Sequence, residues 1–277
     1  MTAGPDAVAT AGPDAVATAG ALLAARRDRR PAGPLPPALR PRDEVAGVAA
    51  QLALAQLLGC VPPAGFKLGA TGGRMRAYLG VSEPIAGFMR AADLHVSGVT
   101  LPFDGFRRVG VECEIAVRLV ADLPPGPCDA MRAAQAVGSV MAAIEIVENR
   151  YDPPGGDLAA MGAATLIADQ MFHAAAVLGA EQPLGDLDLA AILGEIALDG
   201  VRIDGGAGAE LLGHPMAALA WLAGSREAAS FGGLKAGQVV MLGSVNPPVW
   251  LTGPGAVTVR FGDAHSAGLG AVDLTFR

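Results

Sequence analysis

The amino-acid sequence predicts an α+β fold built on a largely antiparallel or mixed sheet. Segments with helical periodicity cluster early in the chain, and β-branched, alternating segments dominate its last third. The regular alternation of strand and helix that a doubly wound parallel sheet needs is absent. With 277 residues, 52% of them hydrophobic and 17% charged, the chain can bury a substantial core as one large domain or two small ones.

Taken in order, residues 3–10 (AGPDAVAT) recur as residues 11–18. Proline, glycine and alanine at that density cannot build a core, so residues 1–20 are predicted to be a disordered extension. Residues 21–60 form a predicted helical segment. It opens with a short helix, Ala21 to Arg30, whose last turn carries Arg26, Arg27, Arg29 and Arg30. Those charges suit either an anionic partner or a helix C-terminus, and the stop at Pro31 favours the second reading. After a proline-rich linker, Asp43 offers an N-cap, and Val45, Val48, Ala49, Leu52, Ala55 and Leu58 recur at helical spacing until Gly59.

Residues 61–277 carry the rest. Leu101 to Phe106 and Val109 to Val120 read as strands, and Met131 to Met141 as a helix leading into a strand that holds Glu145. Leu166 to Leu178 is ambiguous. Ile196 to Ile203 reads as a strand with a turn at Asp199-Gly200, and Pro215 opens a helix that ends at Gly224. Val239 to Leu242, Val257 to Phe261 and Ala271 to Phe276 alternate as strands between glycine turns.

The formal charge of -7 and pI near 5.1 argue against a nucleic-acid surface. Cys60, Cys113 and Cys128 are too few for a disulfide framework and lack zinc-site spacing, which fits a reducing cytoplasm. No signal peptide is evident at the N-terminus. Val45 to Val61 is the most apolar long window, but Gln51 and Gln56 mark it as a packed helix, so no membrane span is expected.

The chemistry gathers around VECEIAV, Val111 to Val117. Glu112 and Glu114 lie two apart on a strand and so share a face, while Val111, Cys113, Ile115 and Val117 line the other. Two carboxylates about 6–7 Å apart repel by roughly 2–3 kcal/mol at an effective dielectric near 20. Water relieves that repulsion on an exposed strand, and a hard divalent cation relieves it in a cleft. The spacing leaves both open. Glu145, in MAAIEIVENRY, is a third acid in a similar apolar setting. Lys67, in AGFKLGA, is either a desolvated proton carrier or a snorkelling side chain with its ammonium in water. The glycine turn ATGGRMRAYLG, with Gly72 and Arg74, is a weak candidate for holding a substrate carboxylate. His95, His173, His214 and His265 show no metal-ligand spacing, and His214 before Pro215 reads as structural.

These segments, with ALLAARRDRRPAGPL, IADQ, LLGHPMAALAWLA, LKAGQVVMLGS and GLGAVDLTF, give the chain a resemblance. From about residue 21 onward it resembles the 2-keto-4-pentenoate hydratase and 4-oxalocrotonate decarboxylase branch of the fumarylacetoacetate hydrolase superfamily. The resemblance implies a mixed β-roll or sandwich with short peripheral helices, and a Mg²⁺ or Mn²⁺ held by Glu112, Glu114 and Glu145 in a catalytic domain spanning residues 61–277. It implies that Lys67 transfers the proton, with Asp93 matching the acid that follows Gly87. It places Gly72, Arg74, Asp169, Gln170 and Ser244 around the substrate, a 2-oxo acid, and implies a homo-oligomer.

The sequence departs from that branch at two places. Val109-Gly110 stands where a proline and a basic residue usually precede the first glutamate. Met171 and Phe172 replace small polar residues after Asp169-Gln170, which makes that wall of the pocket larger and drier. The expected activity is metal-dependent hydration of a 2-keto-4-pentenoate-like acid. The alternatives are a decarboxylase or C–C hydrolase on the same scaffold, or a non-catalytic partner subunit.

Overall fold

The computed structural model describes residues 13–151, 161–262 and 268–277. The first helix, α1 (Pro13–Arg27), starts eight residues before the predicted Ala21, so residues 13–20 are helical rather than disordered. Thr18 and the apolar Ala19, Leu22, Leu23 and Ala25 are buried, and Thr18 Oγ1 donates to the Leu39 carbonyl at 2.8 Å. Docking against the second helix supplies burial that the repeat's composition does not advertise. The first copy of the repeat lies outside the described residues.

The second helix, α2 (Glu44–Leu57), begins at the predicted cap, where Asp43 Oδ1 accepts from Ala46 N at 2.8 Å. There follow β1 (Gly65–Gly69), α3 (Gly73–Leu79), β2 (Ile85–Met89), β3 (Leu94–Val96) and β4 (Val99–Leu101). The strand expected at 101–106 ends at Leu101, because Pro102 lacks an N–H and residues 103–105 turn as a 3₁₀ helix.

Next come β5 (Val109–Leu119), α4 (Ala130–Gln135), β6 (Val137–Glu148), α5 (Ala163–Ala168) and β7 (His173–Leu178). The helix predicted over Met131 to Met141 stops at Gln135, and Val137 onward pairs with β5 along its whole length. The hairpin β8 (Leu193–Leu198) and β9 (Val201–Ala207) turns at Asp199 and Gly200, with φ of 48° and 80°. Two positive φ values are what a tight two-residue hairpin requires. Finally come α6 (Pro215–Gly224), α7 (Arg226–Ser230), β10 (Val239–Ser244), β11 (Val249–Trp250), β12 (Gly255–Phe261) and β13 (Gly270–Phe276). At the start of α6, His214 Nδ1 accepts from Met216 N at 3.0 Å, the structural use expected of it.

The strands form two mixed sheets. The larger runs β2-β1-β10-β5-β6-β7-β3, with β11 also on β5, and the smaller runs β4-β13-β12-β8-β9. Most pairs are antiparallel; β1 with β10, β3 with β7 and β4 with β13 are parallel. Val111, Cys113, Ile115 and Val117 share one buried cluster with Ile196, Val259, Phe261 and Leu274 of the smaller sheet. The opposite face of β5 therefore turns away from that core, and it carries the glutamates.

The helices close the site's edge. Gln51, buried on α2, donates to the carbonyls of Ala86 at 2.9 Å and Ile167 at 2.7 Å. One side chain thus ties β2 to α5. No helix among the described residues is long and apolar enough to cross a membrane.

Candidate metal centre and active site

Register assembles the acids. Glu112 pairs with Glu145 across β5 and β6, and Glu114 lies two residues along the same strand. One carboxylate oxygen from each of the three lies within 4.8 Å of the others. Glu114 and Glu145 are fully buried and Glu112 half-buried. Lys67 on β1 is buried as well; its Nζ donates to the Met171 carbonyl at 2.7 Å and stands 3.4 Å from Glu145 Oε1. His173 Nδ1 meets the same Glu145 oxygen at 2.8 Å.

The electrostatics follow from that crowding. Burial, then the neighbouring Glu145, pushes Glu112 up to about 8. Burial and both other glutamates push Glu114 well above the ordinary carboxylate range. Burial also opposes the Glu145 anion, but Lys67 and His173 outweigh it and hold that group below its usual value. Glu114 Oε1 and Glu145 Oε2 have no hydrogen-bond partner although both are buried. An unsatisfied buried acceptor costs about 1–3 kcal/mol, more when charged. A hard divalent cation would satisfy both oxygens and cancel the repulsion, so the donor set fits Mg²⁺ or Mn²⁺.

Glu114 is oriented by a bulge. Its Oε2 accepts from Gly243 N at 3.1 Å, where β10 shifts register between Met241 and Ser244. Gly243 has φ of 105°, and a Cβ there would lie 2.5 Å from Thr71 Oγ1. Only glycine fits.

Two adjoining cavities open on the cluster. The larger, about 480 Å³, is lined by Gly72, Arg74, Glu112, Ser244 and Asn246 among others. The smaller, about 200 Å³, is lined by Lys67, Glu112, Asn149, Met171, Phe172 and Trp250 among others. Glu112, Met75 and Tyr78 border both. The structure thus brings together Lys67, Glu112, Glu114 and Glu145, and sets Gly72, Arg74 and Ser244 on the wall.

Three expected residues are elsewhere. Asp93 forms a two-pronged ion pair with Arg90, at 2.5 and 2.7 Å, beside a different cleft. Asp169 and Gln170 are spent on holding a loop. Asp169 accepts from Arg26 Nη2 at 2.6 Å, Arg150 Nε at 3.0 Å and the Tyr151 hydroxyl at 3.0 Å. Gln170 accepts from Arg26 at 2.8 Å and donates to the Phe88 carbonyl at 2.6 Å. Those bonds fix Gln170, Met171 and Phe172 at φ of 61°, 46° and 67°, a left-handed run that non-glycine residues resist. The outcome is that the Met171 carbonyl is presented to Lys67, and Met171 and Phe172 line the smaller cavity.

The sequence reading missed Arg108, Trp250 and His173 as site residues. Arg108 stacks on the Trp250 ring, 5.0 Å from its centre, at the smaller cavity. Gly110 makes room, since a Cβ there would lie 2.9 Å from that ring. The available signal was the basic pair Arg107-Arg108 just before Val109-Gly110. His173 gave none, because histidine spacing along the chain does not report a strand neighbour.

No family model matches the chain. It is 33% identical over 216 residues to a 2-keto-4-pentenoate hydratase of Burkholderia vietnamiensis, covering 76% of this chain and 77% of that relative. Its fold matches 4-oxalocrotonate decarboxylase from Pseudomonas putida G7, complexed with magnesium and adipate. That match has a TM-score of 0.84, 24% identity, and covers 95% of this chain and 97% of the other. A fumarylpyruvate hydrolase from Pseudomonas aeruginosa, in complex with Mn²⁺ and pyruvate, matches at a TM-score of 0.55 and 14% identity, over 76% and 88% of the two chains. The chain belongs to the 2-keto-4-pentenoate hydratase and 4-oxalocrotonate decarboxylase branch of the fumarylacetoacetate hydrolase superfamily.

Proposed function

We propose that this protein is a divalent-metal-dependent hydro-lyase that adds water to a 2-hydroxydienoic (2-oxo) acid of the 2-keto-4-pentenoate type. The observation that carries it is the trio Glu112, Glu114 and Glu145, within 4.8 Å, with two buried unpartnered oxygens and the Lys67 ammonium 3.4 Å away. Mg²⁺ or Mn²⁺ held by these carboxylates would act as a Lewis acid toward the oxygens of the 2-oxo acid. The chain's own residues supply the rest. Lys67, set by the Met171 carbonyl and Glu145, is the proton carrier beside the reacting carbons. Arg74 and the backbone at Gly72, on the wall of the larger cavity, would hold a substrate carboxylate. Met171, Phe172 and Trp250 exclude water from the tail side.

A decarboxylase or C–C hydrolase would use the same four residues, and the matched decarboxylase fold supports it as a second reading. The presence of all four weighs against a non-catalytic partner subunit. Three free cysteines agree with a reducing cytoplasm. Val201 and Ile203, exposed on the edge strand β9, support a homo-oligomer.

The test is incubation with 2-hydroxypenta-2,4-dienoate and with 2-oxohexenedioate, with and without Mg²⁺, following ultraviolet absorbance and CO₂. Metal-dependent loss of the dienoate without CO₂ supports the hydratase; CO₂ from the dioate supports the decarboxylase. No metal-dependent change in either overturns both.

A further inference from the structure

The sheet face that carries the glutamates continues beyond them. Val109 pairs with Glu148 at the end of the β5–β6 ladder, and Asn149 N donates to the Arg108 carbonyl at 2.9 Å, which extends the ladder by one pair. Period two therefore sets Arg108 and Asn149 on the same face as Glu112 and Glu145. Arg108 precedes Glu112 by four residues, so their Cα atoms stand about 13 Å apart along an extended strand. Arg108, Asn149 and Glu112 all line the smaller cavity, and Lys67 borders it from β1.

Neither polar group is spent on the protein. Arg108 lies over the Trp250 ring, 5.0 Å from its centre, and among the described residues it has no ion pair. Stacking occupies the face of a guanidinium and leaves the N–H groups in its plane available. Glu148, the adjacent acid, falls on the opposite face, where it accepts from Arg107 N at 2.8 Å and lies 3.6 Å from Arg150. Asn149 is buried, and its Oδ1 accepts from Tyr151 N at 3.0 Å. That bond fixes the amide and leaves Nδ2 a donor with no partner among the described residues. A held cation and a buried, unspent donor at one end of a cavity need an acceptor that the chain does not supply.

We propose that Arg108 and Asn149 read a second carboxylate at the tail end of the substrate, which is therefore a dicarboxylic 2-oxo acid. The inference rests on the 2-oxo acid reading of the metal centre and adds the residues that select the tail. The 2-oxo head lies at the glutamates, the far carboxylate meets the Arg108 fork, and the hydrocarbon between them lies against Met171 and Phe172. A tail without that carboxylate leaves the Arg108 and Asn149 donors desolvated and unpaired, which disfavours it relative to the diacid.

The test is calorimetric titration of the full, Mg²⁺-loaded chain with 2-oxohexanedioate and with 2-oxohexanoate, which share head and length and differ in the far carboxylate. The diacid is expected to bind at least about tenfold more tightly. Arg108→Gln is expected to bring that ratio to within about threefold of unity, and Arg108→Lys, which keeps the charge but not the fork, to give an intermediate ratio. Binding of 2-oxohexanoate by each variant shows that it is folded. Equal affinity of the wild type for the two acids overturns the proposal and leaves the 2-oxo acid reading standing. Failure of both acids to bind in a Mg²⁺-dependent way overturns that reading, and the proposal with it. A preference that survives Arg108→Gln also overturns the proposal, and its loss in Arg74→Gln would then place the far carboxylate in the larger cavity.

Discussion

Glu112 on β5 and Glu145 on β6 are direct cross-strand partners, so the larger sheet sets two carboxylates opposite each other on one face. Like charges in that position destabilise a sheet. Glu114 adds a third acid, and the sheet gains nothing from the arrangement unless a cation enters. Glu114→Gln keeps the shape and the Gly243 contact but removes one charged oxygen ligand. Mn²⁺ affinity by calorimetry is expected to fall by about 100-fold or more, while the metal-free variant melts higher than the metal-free wild type. Unchanged affinity would remove Glu114 from the metal site.

The same repulsion makes the metal-free protein sensitive to pH. Glu112 is raised from 4.5 to about 8, and Glu114 moves the same way. A raised carboxyl contributes stability that is fully present below its unfolded value and is lost as pH rises through the folded one. Glu145, lowered, acts in the opposite sense at the acidic end. The metal-free chain is therefore expected to melt several degrees lower at about pH 8 than at about pH 5.5, and saturating Mg²⁺ is expected to abolish most of that difference. A melt series in chelator checks it; a flat profile would show that the glutamates are not crowded.

Strand periodicity explains how much of this was legible beforehand. Period two forced Glu112 and Glu114 onto one face and Val111, Cys113, Ile115 and Val117 onto the core, and the register with β6 then brought Glu145 opposite. Lys67 stayed ambiguous because its acceptor, the Met171 carbonyl, is 104 residues away. Asp169 and Gln170 were assigned to the substrate because a motif records position, whereas their actual partner, Arg26, approaches from a helix that local composition had begun too late. The switch from helix to strand after Gln135 is likewise set by pairing with β5, not by the residues at the boundary.

Arg26 connects the N-terminal helix to the loop that contacts Lys67. It bonds Asp169 and Gln170, and these hold the left-handed run that presents the Met171 carbonyl to Lys67. Arg26→Ala leaves Asp169 with Arg150 as its remaining guanidinium partner. Removing one partner from such a buried ion pair is expected to cost about 2–4 kcal/mol in denaturant unfolding. At temperatures where the variant is folded, kcat is expected to fall by more than tenfold with KM within about twofold, because the positioning of Lys67 is lost and the carboxylate-holding wall is not. Arg26→Lys, which keeps the charge but not the fork, should recover stability better than rate. A variant with wild-type kcat would show that Lys67 holds its place without the loop.

Phe172 lines the smaller cavity, on the side where a substrate tail is expected. Its ring packs edge-on against Tyr151, 5.7 Å between centres, and lines the smaller cavity with Met171 and Trp250. An apolar wall favours a substrate tail that buries hydrocarbon there, and each methylene-sized difference in such a pocket is worth about 1–3 kcal/mol. Phe172→Ser removes the ring and adds a hydroxyl. The ratio of kcat/KM for an alkyl- or aryl-substituted dienoate over unsubstituted 2-hydroxypenta-2,4-dienoate is expected to drop about tenfold. The change should come through the substituted substrate, since the carboxylates and Lys67 are untouched. An equal loss on both substrates would mean that Phe172 supports the loop and does not read the tail.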